Sequence, residues 1–123
     1  MARILVLDDE ATIRFVVSRV LEGAGHEVVA LGSGREALEL LAKDAHFDVF
    51  LMDLRVGDMT GRTLLTSLRE WLPVIDFQIA VLTGAVDTDE AFPPPDWYQG
   101  LLRKPFKLAE LKDLVERLVN SHA

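Results

Sequence analysis

The chain has 123 residues, half of them apolar and 27% charged, which points to one globular domain with a core of its own. A formal net charge of −7 argues against sequence-independent nucleic-acid binding, which needs Lys and Arg to displace counterions. The absence of cysteine excludes disulfides and thiolate metal sites, and the first apolar run is too short for a signal segment or a membrane span. The expected compartment is therefore the cytoplasm, and the expected organisation a single domain over residues 1–123.

Residues 3–7 read as a first strand. A helix follows, with Thr12 as its expected cap, Ile13, Val16, Val17, Val20, Leu21 and Ala24 at helical spacing, and Gly25 just past its end. Val28–Leu31 is a second strand, and Ser33 to Lys43 a second helix with Ala37, Leu38 and Leu41 inward. Phe47–Met52 is the third strand; Leu64, Leu65, Leu68 and Leu72 mark a third helix closed by Pro73. Phe77–Leu82 and Gly100–Leu102 are the fourth and fifth strands. Leu108, Leu111, Leu114, Val115, Leu118 and Val119 form the apolar face of a last helix, with Lys112 and Arg117 outward. Strands alternating with helices predict an α/β fold with a parallel sheet buried on both faces.

One stretch breaks this rhythm. Where a fourth helix is due, the chain reads Asp89-Glu90-Ala91-Phe92-Pro93-Pro94-Pro95-Asp96-Trp97-Tyr98. A proline inside a helix costs roughly 3 kcal/mol, so three in succession leave the fourth helix shortened or replaced by an extended segment. A short turn is expected near Asp87–Ala91 and at most one helical turn around Trp97. Trp97 and Tyr98 either cover the core in place of the helix or form an exposed patch for a partner.

The chemistry lies at the strand ends. The first strand runs into Asp8-Asp9, the third into Asp53, the fourth into Thr83, and the fifth through Arg103 to Lys104-Pro105. Ligands of open α/β sheets bind beyond the carboxyl ends of the strands, so these residues converge on one edge. Three carboxylates there repel one another unless a hard cation such as Mg²⁺, which prefers oxygen ligands, neutralises them. Asp53 is the best nucleophile for phosphorus, with Thr83 supplying a hydroxyl and Lys104 a point charge to phosphoryl oxygens. A cis bond before Pro105 is one way to turn the lysine inward. His26, His46 and His122 lack ligand spacing and read as surface or loop histidines.

In this order and spacing, Asp8-Asp9-Glu10, Asp53, Thr83-Gly84 and Lys104-Pro105-Phe106 resemble the receiver domain of two-component response regulators, across essentially the whole chain. The resemblance implies a flavodoxin-like, doubly wound, five-stranded parallel sheet ordered 2-1-3-4-5. It implies a phosphoryl group passing from a histidine kinase or histidine phosphotransfer protein to Asp53. It further implies Mg²⁺ bound by Asp9, Asp53 and the backbone carbonyl of Arg55, with Asp8 acting through water. Thr83 and Lys104 then hold the phosphoryl oxygens, and acylation draws Thr83 inward and shifts the face built by the last two strands' connections. On this resemblance the chain acts through protein contacts, free-standing or cut from a larger protein, with its downstream partner unspecified and with neither nucleic acid nor membrane as a partner.

Several positions depart from the family pattern. Val56-Gly57 replaces the usual Met-Pro after the phosphoacceptor, and glycine there predicts a looser metal-binding loop. Arg55 and Ala85, two residues after Asp53 and Thr83, flank the path of an attacking water and are expected to tune the lifetime of the phosphorylated state. Leu101 replaces the usual Tyr or Phe three residues before the lysine, so the readout surface is rebuilt while the phosphorylation chemistry is intact. A second function class is a docking module that keeps the fold without phosphorylation, favoured by Val56-Gly57, Leu101 and the prolines. A phosphohydrolase needs an acid/base carboxylate two residues after its nucleophile, where this chain has Arg55. A flavin site needs an amide- and hydroxyl-rich phosphate cradle where this chain is acidic.

Overall fold

The computed structural model describes residues 1–84 and 90–122. Strands β1 (Arg3–Leu7), β2 (Glu27–Leu31), β3 (Val49–Asp53), β6 (Gln78–Thr83) and β7 (Gly100–Arg103) form one parallel sheet in the order β2-β1-β3-β6-β7. With the two-residue strands β4 (Arg55–Val56) and β5 (Met59–Thr60) set aside as a separate hairpin, this is the 2-1-3-4-5 order. Helices α1 (Ala11–Gly23) and α4 (Leu108–His122) supply the core of one face, and α2 (Gly34–Lys43) and α3 (Gly61–Trp71) that of the other. No helix among the described residues is long and apolar enough to cross a membrane.

Period-two alternation builds the two layers. Ile4, Val6, Val49, Leu51, Ala80 and Leu82 point to α1 and α4, where Val17, Leu21, Leu111, Leu114 and Leu118 meet them. Leu5, Leu7, Phe50, Met52, Ile79 and Val81 point the other way, onto Ala37, Leu41, Leu64, Leu65 and Leu68. The strands therefore read as unbroken apolar runs because both faces are covered. Gly100 is what lets α4 sit down on β7: a Cβ there would lie 2.8 Å from Leu114 Cδ1 and 3.3 Å from Ala80 Cβ.

Among the described residues between β6 and β7, helix is confined to one 3₁₀ turn, Pro95–Trp97, as the prolines require. The expected turn is seen only from Glu90 onward; Asp87, Thr88 and Asp89, like Ala85, lie outside the described residues. Ala91 and Phe92 are buried where a helix would have packed, and the Ala91 carbonyl accepts the Arg62 N–H at 2.9 Å. Trp97 and Tyr98 pack on the same core, with the Arg69 guanidinium 4.4 Å above the Trp97 ring. They cover the core rather than forming a free aromatic patch.

Two local expectations are corrected, those for Thr12 and Leu108. Thr12 does not cap α1: the Asp8 carboxylate takes the Glu10 N–H at 2.9 Å, the chain turns there, and the helix starts at Ala11. Leu108 is 45% exposed, because it opens α4 at the helix's first turn, ahead of the stretch that packs on the sheet. His26 lies in the loop between α1 and β2, as expected, with its side chain turned inward; its Nδ1 accepts the Ala2 N–H at 3.1 Å, which removes the desolvation penalty at that atom. His46 is exposed as expected, and the His122 side chain lies outside the described set. Gly57 lies in the turn of a short hairpin, in which Arg55 stands opposite Thr60 and Val56 opposite Met59.

Candidate functional site

Register aligns the strand ends. Leu7 pairs with Met52, Asp53 with Leu82, and Thr83 with Arg103, so Asp8, Asp53, Thr83 and Lys104 leave four adjacent strands at one edge. Asp8 is fully buried, Thr83 is 3% exposed, and Asp9 is exposed at the mouth. Each of Asp8, Asp9 and Asp53 offers an oxygen within 4.8 Å of the others'. The Lys104–Pro105 peptide is cis, and Lys104 Nζ donates to Asp8 Oδ2 at 2.8 Å and to Asp53 Oδ2 at 2.9 Å. The backbone N–H of Lys104 donates to the Thr83 carbonyl at 2.9 Å, tying the ends of β6 and β7 together.

Electrostatics follow from this crowding. Burial pushes the Asp53 carboxyl above its ordinary range, and the neighbouring Asp8 charge adds to the rise, while Lys104 opposes it. Burial alone would lower the Lys104 ammonium, but its hydrogen bonds to Asp8 and Asp53 outweigh that and hold it above its usual value. Both partners rise because one cation is shared by two carboxylates: the lysine is doubly compensated and Asp53 only half so. Three carboxylates against one ammonium leave an excess of negative charge in a set of hard oxygen donors. Such a set fits Mg²⁺ or a similar divalent cation.

Arg55, expected to contribute its carbonyl, sits on the hairpin directly after Asp53, and its N–H approaches Asp53 Oδ1 at 3.4 Å. The turn of that hairpin reaches the acidic cluster: a Cβ on Gly57 would lie 4.0 Å from Asp9 Oδ2. Residue reading alone missed two groups. Arg14 Nη1 donates to the Asp8 carbonyl at 2.7 Å, across the start of α1. Asp58, in the hairpin turn, accepts the N–H groups of Gly34 and Arg35 at 2.9 and 3.0 Å. An arginine on the first turns of α1 next to an acidic loop was a signal for the first contact; the second joins residues more than twenty positions apart and left none.

The profile of the response regulator receiver domain matches residues 4–116. The DNA-binding transcriptional regulator NtrC of Escherichia coli is 35% identical over 120 residues, which cover 95% of this chain and 24% of that protein. The sensor kinase CckA of Brucella abortus is 34% identical over 119 residues, 96% of this chain and 12% of that protein. The chain thus spans a quarter or less of the length of these curated relatives. Among solved structures, the chemotaxis response regulator CheY4 of Vibrio cholerae superposes with a TM-score of 0.82 at 31% identity, covering 96% of this chain and 98% of that one. By profile, sequence and fold together, this chain belongs to the receiver domains of response regulators, the phosphoacceptor signalling modules of two-component systems.

Proposed function

We propose that Asp53 takes the phosphoryl group, from a histidine kinase or histidine phosphotransfer protein, with Mg²⁺ held by Asp9, Asp53 and the Arg55 carbonyl and with Asp8 acting through water. The observation that carries this reading is the shared ammonium: Lys104 joins the buried Asp8 to Asp53 at 2.8 and 2.9 Å and leaves the cluster short of positive charge. A carboxylate oxygen of Asp53 attacks phosphorus, the bond from phosphorus to the donor nitrogen breaks, and its electron pair stays on that nitrogen. The product on the chain is an acyl phosphate. Bound Mg²⁺ supplies charge neutralisation for the phosphoryl oxygens.

The chain's own residues do the rest. Lys104, held cationic, trades one carboxylate contact for a phosphoryl oxygen, and the Thr83 hydroxyl donates to another. Residues 1–123 act as one domain, in the cytoplasm, altering protein contacts rather than turning over a separate substrate. Drawing in Thr83 bears on β6 and β7, whose neighbouring surface carries Leu101 and the Phe92–Tyr98 packing. Readout therefore runs through this rebuilt face and not through an aromatic at position 101.

Intact mass after incubation with acetyl phosphate tests the reading. A gain of one phosphoryl group that needs Mg²⁺ and is absent in Asp53→Asn is expected. A folded protein that gains nothing and binds no Mg²⁺ would instead be a docking module that keeps the fold without the chemistry.

A further inference from the structure

The hairpin β4–β5 is anchored at its far end. Among the backbone N–H groups that open α2 without an i→i−4 partner, those of Gly34, Arg35 and Glu36 are bonded to side chains. Glu36 donates to Ser33 Oγ at 3.2 Å and Ala37 to the Ser33 carbonyl at 3.2 Å, which is local capping. The first two, Gly34 and Arg35, donate to the two carboxylate oxygens of Asp58, from the hairpin turn. Beside this clamp, Met59 lies so close over Gly34 that a Cβ there would collide with Met59 Cγ. The same hairpin begins at Arg55, and its turn residue Gly57 approaches Asp9.

We infer that Asp58 is a positioning residue for the cation site: by clamping the hairpin turn to the first turn of α2, it holds the Arg55 carbonyl and Asp9 in the arrangement that binds Mg²⁺. The inference rests on the metal reading above and deepens it. Asp58 offers an interaction that the glycine at position 57 cannot, since glycine leaves the turn free to sample many conformations. The backbone N–H of Gly34, with that of Arg35, holds the Asp58 carboxyl below its ordinary range against the opposing effect of burial, so the clamp stays charged at neutral pH. Coupling is reciprocal: if the clamp orders the cation site, a bound cation orders the clamp.

The test is a Mg²⁺ titration of the full chain, followed by amide resonances and exchange rates, for wild type, Asp58→Ala and Met59→Ala. Mg²⁺ is expected to slow exchange at the Gly34 and Arg35 amides of the wild type. Asp58→Ala is expected to weaken Mg²⁺ binding about tenfold, the usual scale for groups that orient metal ligands. Met59→Ala, which changes no charge, is expected to weaken it in the same direction. Unchanged affinity in Asp58→Ala overturns the inference while leaving the phosphoacceptor reading intact. A loss in Asp58→Ala with none in Met59→Ala also overturns it, because charge alone then explains the effect. A wild type that neither binds Mg²⁺ nor gains mass fails the underlying reading, and this inference with it.

Discussion

Lys104 sets the charge balance of the acidic cluster. Its ammonium, 20% exposed at the side chain, is the cation bonded to both Asp8 and Asp53. Removing either carboxylate therefore changes what the other feels. Asp53 carries a raised carboxyl pKa, from burial first and the Asp8 charge second, so the fold favours its protonated form. The stability it contributes is present below the ordinary carboxylate range and is lost as the pH rises through the raised value. Asp53→Asn removes a charge the metal-free fold disfavours, so in EDTA at pH 7 the variant is expected to unfold at higher urea than wild type. The gap should close as the pH falls below about 4, where the wild-type carboxyl is also neutral. Equal midpoints at pH 7 would show that Lys104 compensates Asp53 fully.

Between elements, α4 fits closely on β7. Gly100 lies under Leu114 and Leu118, with Ala80 beside it on β6. Gly100→Val puts branched carbons into that gap and is expected to cost about 1–3 kcal/mol through overpacking, read from urea unfolding. A neutral result would mean that α4 can lift from the sheet without loss. The segment before β7 shows the opposite solution. Where prolines forbid a helix, Ala91 and Phe92 fill the core directly and the Arg69–Trp97 stack closes the edge. The proline run, legible in the sequence, predicted that helix among the described residues of this segment would be confined to a single turn. Which of two roles Trp97 and Tyr98 take depended on where α3 presents Arg62 and Arg69, which no local pattern states.

Across the whole molecule, acidic residues gather at one sheet edge in a chain that is already acidic, with a formal net charge of −7. A cation that neutralises that edge binds the folded state alone, because the unfolded chain scatters Asp8, Asp9 and Asp53. Mg²⁺ is therefore expected to raise the unfolding free energy, by about 2.7 kcal/mol at a hundredfold excess over its dissociation constant. EDTA should abolish the increment, and Asp9→Ala should blunt it. An urea midpoint indifferent to Mg²⁺ would count against a cation at this edge.

The order of strands and helices is written in local patterns, because unbroken apolar runs and helical spacing are what a doubly buried sheet demands. The sequence also placed Asp8, Asp9, Asp53, Thr83 and Lys104 at strand ends, since a parallel sheet sends all such ends to one edge. Tertiary structure alone decided what those residues share. The lysine's two carboxylates stand at the ends of β1 and β3, the inward-turned His26 accepts the Ala2 N–H, and α1 begins early because Asp8 turns back on Glu10. The clamp from Asp58 to α2 is the clearest case, joining a hairpin turn to a helix start across a gap in sequence that no periodicity spans. Local propensity encodes elements; the partners of a charge are set by which elements the packed core brings side by side.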